Sequence, residues 1–131
     1  MAGDRVRESR DADGRLHSDD GPAVVFESGR REWYRHDRLH REDGPAVEHA
    51  NGSVKWYRDG VRHRDGAPAC EYVNGTEKWY RRGLRHRDDG PAAIYPDGRR
   101  IWFDEGEKVH EEIGEPVPPR ADLRPPPALE T

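Results

Sequence analysis

The apolar positions of this chain recur as a block rather than as one long helical or strand pattern. Trp occurs at 33, 56, 79 and 102, a constant interval of 23 residues. Pro22, Pro45, Pro68 and Pro91 keep the interval, as do His17, His40, His63 and His86, Ala23, Ala46, Ala69 and Ala92, and Gly29, Gly52, Gly75 and Gly98. Several series in one register mark an internal repeat, which has to be recognised before any element is assigned. After each Pro-Ala pair, Val24, Val47, Cys70 and Ala93 alternate with Phe26, His49, Tyr72 and Tyr95. That period of two predicts a strand. A second strand ends in an aromatic pair: Trp33-Tyr34, Trp56-Tyr57, Trp79-Tyr80 or Trp102-Phe103. Ser28-Gly29, Asn51-Gly52, Asn74-Gly75 and Asp97-Gly98 separate the two strands. The Asn-Gly and Asp-Gly pairs predict a type I′ turn, with two positive-φ residues. A further turn follows the aromatic pair, at Asp59-Gly60, Arg82-Gly83 or Glu105-Gly106, with His36-Asp37 in the first copy.

A third extended piece carries the His and runs into an Asp-Gly-Pro corner. Proline cannot donate to a ladder, which puts the corner at a sheet edge or bend. Gly and Pro fall too often for a long helix. The prediction is an all-β fold: an elongated, twisted antiparallel sheet of stacked 23-residue β-hairpin units, each unable to bury its aromatic side alone. Two strands spaced by ~4.8 Å advance the stack roughly 10 Å per unit, giving a rod on the order of 40 Å long. Trp33, Trp56, Trp79 and Trp102 are expected to form the buried seam. Tyr34, Tyr57, Tyr80 and Phe103 are expected on the other face, some partly exposed. Residues 1–13 read as a polar arm without a clear strand, 14–112 as four units plus a partial fifth that caps the stack, and 113–131 as a Pro-rich extended or disordered tail.

Composition qualifies this picture. Only 31% of the 131 residues are hydrophobic and 38% are charged, which taken alone suggests disorder. The regular placement of four Trp, five Tyr and two Phe argues otherwise. The formal net charge of −4 lacks the positive field that non-specific nucleic-acid binding needs. Cys70 is the only cysteine, so no internal disulfide is possible. The opening residues lack a signal peptide's apolar stretch, and no apolar run approaches a membrane span. The expectation is a soluble cytoplasmic protein, or one incorporated into a virion assembled in the cytoplasm.

The 23-residue period, the paired turns and the Gly-Trp-Tyr pattern resemble MORN-type repeats. The resemblance is to the divergent variant carrying His-Arg-Glu-Asp-Gly-Pro-Ala (His40 to Ala46) and Asn-Gly-x-x-x-Trp-Tyr (Asn51 to Tyr57), found in bacteria, phages and large viruses. It covers about residues 14 to 110. It implies a scaffold or binding module rather than an enzyme, and a related bacterial group is described as antitoxin-like. Two departures stand out. Copy three reads Arg64-Asp65-Gly66-Ala67-Pro68, and the fifth copy slips by one, so that His110 takes the histidine role.

Candidate chemistry is sparse. The His series lies beside Asp19, Glu42, Asp65 and Asp88, but equivalent residues roughly 10 Å apart cannot share a zinc ion bound at ~2.0 Å. Each His is therefore expected to hydrogen-bond its own corner, with no metal or other cofactor. Pro22, Pro45, Pro68 and Pro91 share that structural role. Arg41, Arg64 and Arg87 form one row, broken by Ser18; Arg35, Arg58 and Arg81 form another. Either could follow a polyanion, but the adjacent acidic row favours mutual pairing. Cys70 takes the place of Val24 and Val47, so it reads as a small buried residue. No nucleophile–base pair stands out.

The functional expectation is a non-enzymatic protein-binding or structural module, with a phage- or virion-associated accessory role as its suggested setting. The partner is a protein, a large assembly or a second copy. The candidate contacts are Tyr34, Tyr57, Tyr80, Arg35, Arg58 and Arg81 on the sheet, and Pro118, Pro119, Pro125, Pro126 and Pro127 in the tail. The alternatives are an antitoxin- or immunity-like inhibitor that occludes an enzyme, and a polyanion binder using the Arg rows.

Overall fold

A computed structural model of the chain describes residues 4–126. Pro127 lies outside the described residues. The elements are β1 (Arg5–Glu8); β2 (Val24–Phe26), β3 (Arg31–Glu32), β4 (Tyr34–Arg35) and β5 (Arg38–Leu39) in unit one; β6 (Val47–Glu48), β7 (Val54–Lys55), β8 (Tyr57–Arg58) and β9 (Val61–Arg62) in unit two; β10 (Cys70–Glu71), β11 (Glu77–Lys78), β12 (Tyr80–Arg81) and β13 (Leu84–Arg85) in unit three; and β14 (Ala93–Ile94), β15 (Arg99–Asp104) and β16 (Glu107–Ile113) in unit four. No helix occurs among the described residues. The first two strands of every unit join one antiparallel sheet of ten strands, in the order β1-β2-β3-β6-β7-β10-β11-β14-β15-β16. The fold is all-β, as the alternation predicts.

The aromatic pair is where the chain leaves this sheet. β4–β5, β8–β9 and β12–β13 form separate two-stranded ribbons. Trp33, Trp56 and Trp79 are the pivots between sheet and ribbon. The amide of each donates to Ala46, Ala69 or Ala92 of the next unit, and its carbonyl accepts from His40, His63 or His86. In unit four the pivot is absent: β15 and β16 run on as one long hairpin from Arg99↔Ile113 to Asp104↔Glu107.

The type I′ geometry predicted for the Asn-Gly and Asp-Gly turns is not found there. Gly29, Gly52, Gly75 and Gly98 have φ of 94–100°, but the residues before them are not in the positive-φ region. These hairpins close by Gly29 N–H to Phe26 O and Phe26 N–H to Arg30 O, with equivalents in each unit. That is a three-residue loop ending in left-handed Gly. The paired positive-φ residues occur instead in the ribbon turns: His36-Asp37, Asp59-Gly60, Arg82-Gly83 and Glu105-Gly106. A ribbon with only two residues in its loop needs that geometry, whatever its side chains.

The core also departs from expectation. Its most buried column is Ala23, Ala46, Ala69 and Ala92, each at 0% exposure, beside Val24, Val25, Val47, Cys70 and Ala93. The indoles only flank this column; Trp56, for example, is half-buried against Ala69, Cys70 and Tyr80. The carbonyls of Ala46, Ala69 and Ala92 accept from the preceding unit's Trp amide, and that of Ala23 from Ser9. Tyr80, expected to be available to a partner, is 8% exposed and more buried than any of the four indoles.

One end differs from expectation in gaining a strand, and the other is extended as far as it is described. β1 lies in the expected polar arm and pairs with β2. The tail runs back over the Gly turns of its own sheet. Gly114 donates to Gly98 O, Val117 to Pro96 O and Arg120 to Val73 O. Pro96 and Val73 are one unit apart on the stack, and their partners are three residues apart on the tail. Polyproline II advances ~3.1 Å per residue, so three residues nearly match the roughly 10 Å unit rise. Arg120 fixes the alignment through Glu71 at 2.7 Å and Glu77 at 3.7 Å. Pro118, Pro119, Pro125 and Pro126, expected to meet a partner, therefore belong to a segment laid on this chain's own surface.

Candidate binding face

The corners and ribbons build one side of the stack. Each corner His fastens a turn through Nδ1, and His17, His63 and His86 also bond a carboxylate through Nε2. Nδ1 of His17, His40, His63 and His86 accepts from the amide of His36, Asp59, Arg82 and Glu105, at 3.2, 2.9, 3.1 and 3.0 Å. Each of these is a non-Gly residue held at positive φ, a conformation that needs support from its surroundings. The next amide in each turn donates to the carbonyl just before the His: Leu16, Leu39, Arg62 or Arg85. Because Nδ1 accepts, the ring proton sits on Nε2. That nitrogen faces Asp19 at 2.7 Å, Glu42 at 3.6 Å, Asp65 at 3.0 Å and Asp88 at 2.6 Å. The His series thus holds the ribbon turn as well as its own corner.

His86, Asp104 and Glu105 bring ligand-type atoms within 4.8 Å of one another. The Nδ1 lone pair there already accepts the Glu105 amide, and the Glu105 carboxylate pairs with Arg81 at 2.6 Å. That arrangement fastens the turn. The Asp88 carboxyl is held below its usual range by the hydrogen bond from His86, with Arg81 adding to it.

The Arg rows are largely neutralised by their neighbours. The guanidinium groups of Arg41, Arg64 and Arg87 lie 4.0, 4.0 and 3.9 Å from the ring centres of Trp33, Trp56 and Trp79, a cation–π contact. Each also donates to the carbonyl of its own corner proline, Pro45, Pro68 or Pro91, at 3.1 Å. Arg35, Arg58 and Arg81 face Glu42, Asp65 and Asp88 at 3.6, 3.7 and 3.3 Å. In the last unit His110 stands over Trp102, with ring centres 4.9 Å apart. It lies one period after Arg87 and covers the indole as the arginines do. His110 also pairs with Trp102 across the hairpin and brings Nε2 to 2.9 Å from Glu112, as the corner histidines do with the carboxylate two residues on, so it keeps that part of the expected histidine role.

The Tyr hydroxyls are also engaged within the chain. Tyr34 donates to Glu32 at 3.0 Å; burial and that carboxylate push its phenol up to about 12. Tyr57 accepts from Arg62, and Tyr80 from Arg62 and Arg85. Cys70 is fully buried, and burial raises its thiol pKa.

Open space on this side lies between consecutive corners. The first groove has a volume of about 490 Å³ and is floored by Trp33 and Tyr34, between the corners of His17 and His40. The equivalent groove on Trp56 and Tyr57 holds about 290 Å³. Ser18 lines the first where Arg41 lines the second, and this exchange of a long side chain for a short one accompanies the extra volume. Ser18 breaks the Arg row in the sequence, but the break acquires meaning only with the groove in view. Of the predicted contacts, Tyr34 and Arg35 line the first groove and Tyr57 and Arg58 the second. Tyr80 and Arg81 line neither.

Compared with known proteins, the chain matches no family model, no curated sequence and no solved structure. No helix of the described residues is long and apolar enough to cross a membrane.

Proposed function

We propose that this chain is a non-enzymatic, MORN-like repeat module that binds a protein through its corner face, with the first groove as the principal contact. The widened groove over Trp33 and Tyr34 carries the reading. Half-buried aromatic rings in a concave site are typical anchors for a partner. Asp19, Asp20, Glu42 and Asp43 outnumber Arg35 and Arg41 around it, so the groove suits a segment bearing Lys or Arg. The rigid, His-fastened corners on either side supply preorganisation. The pairing of both Arg rows with carboxylates weighs against a polyanion ligand. The phage or virion accessory role and the antitoxin-like role are two settings for the same chemistry. They differ in whether the captured partner is a particle component or an enzyme.

The test is quantitative affinity capture with wild-type chain and with Ser18→Arg, which restores the residue type of the other corners. The specific partner should fall at least roughly tenfold for Ser18→Arg, with an unchanged melting temperature. Equal recovery by both chains would sink the proposal, as would substrate turnover by the purified protein.

A further inference from the structure

Each end of the ten-stranded sheet is half of a unit. β1 pairs with β2 through Arg7↔Val25 and Glu8↔Val24. β3 pairs with β6 in the same way, through Arg31↔Glu48 and Glu32↔Val47. The sequence agrees, because Arg7-Glu8 repeats Arg31-Glu32, and Ser9 donates to Ala23 O as Trp33 donates to Ala46 O. β1 therefore takes the place of a second strand and forms one edge of the sheet among the described residues. At the far end, β16 meets β15 through Ile101↔Glu111 and Arg100↔Glu112, again as β6 meets β3. β16 thus contains the counterpart of a first strand and forms the other edge of the sheet among the described residues.

We propose that copies of this chain associate head to tail, β16 of one copy and β1 of the next completing a hairpin unit. Strand direction permits it. The sheet alternates throughout, so β1 runs the same way as β15, which is the direction the free edge of β16 accepts in antiparallel pairing. Charge favours it. β16 carries Glu107, Glu111 and Glu112 against Lys108, and β1 carries Arg5 and Arg7 against Glu8. Two β16 edges, or two β1 edges, would set like charges opposite each other. Of the five exposed large apolar side chains among the described residues, three lie on these edges: Val6 at 53%, Val109 at 62% and Ile113 at 78%.

The pairing used inside the units, Val47↔Lys55 and Glu48↔Val54, sets the register. It places Glu112 opposite Arg7, Ile113 opposite Val6 and Glu111 opposite Glu8. The last pair is like-charged. Glu8 is already held by Arg5 and Arg10 at 3.0 and 2.7 Å, and Glu111 by Lys108 at 2.8 Å. So short a junction falls among weak contacts, and a heterologous contact of this kind does not close. The association is therefore reversible, open-ended and salt-sensitive.

Sedimentation velocity of the full chain over a wide concentration range tests this. The average mass should rise with concentration and not level off at a dimer. Arg7→Glu or Glu112→Arg alone should weaken association roughly tenfold, and both in one chain should restore it. Glu111→Val, which installs the residue found at Val47, should tighten it. Thermal melts that match wild type show that each variant is folded. A chain monomeric at every concentration overturns the proposal. So does a closed dimer whose mass ignores Arg7→Glu.

Discussion

Along the corner side of the stack every unit brings its own fastening; along the Gly-turn side a single segment serves three units. On the first side, a His and a carbonyl capture both amides of each ribbon turn, and an Arg or His110 covers each indole. On the second, the tail passes Gly98, Gly75 and Gly52, bonded through the amides of Gly114, Val117 and Arg120, with the Arg120 side chain as its ionic anchor. The repeated device links nearest neighbours only, as in other solenoid-like stacks. The tail reaches across neighbours through three spaced backbone hydrogen bonds and the non-repeated Arg120 pairing with Glu71 and Glu77.

The largest expected effect lies on the corner side. His40→Ala removes the acceptor of the Asp59 amide and leaves a left-handed residue without its hydrogen bond. Denaturant unfolding should show a loss of about 2–3 kcal/mol. A loss no greater than that of an exposed surface substitution would erase the contrast between the two sides.

A pair of glycine substitutions sharpens the other half of the comparison. Gly29 and Gly75 share positive φ of 97° and 100°, so Ala strains both by about 1 kcal/mol. A Cβ at Gly29 meets nothing within 4 Å, whereas one at Gly75 would lie 2.6 Å from Pro118 O. Gly75→Ala should therefore cost about 1 kcal/mol more than Gly29→Ala, by displacing the tail. In chains lacking residues 114–131 the two should cost the same.

The smallest effect is a pH dependence on the tail side. His49 lies beside Asp122, Leu123 and Arg124. Its pKa is lowered from 6.5 by burial, helped by Lys55 and Arg30. A depressed histidine favours the folded state most above the unfolded value, and that contribution is lost as pH falls from about 6.5 towards the lowered folded value. Half-exposure limits the change to below about 1 kcal/mol. Thermal melts across this window should show a flatter profile for His49→Asn, and for a chain without the tail, than for wild type.

The period, the strand alternation and the Asp-Gly-Pro corners were legible because each unit repeats its local chemistry, and local chemistry decides hairpins. The carboxylates beside each His and the pairing of Arg with acidic neighbours were legible for the same reason, since they act over a few residues. The positive-φ turn was assigned to the wrong hairpin because Asn-Gly fits a three-residue loop as well as a two-residue one. His36, Asp59, Arg82 and Glu105 carry no mark of a left-handed backbone.

The sequence alone determined that this is an all-β stack with a fixed unit and irregular ends. Only the tertiary structure decided that Ala and Val fill the core while indoles lie under arginines, because close backbone approach between units is a distance that no single unit contains. It alone also showed how the Ser18 groove opens and where the tail lies. Both depend on neighbours one or more periods away, and a residue's own sequence context does not encode that spacing.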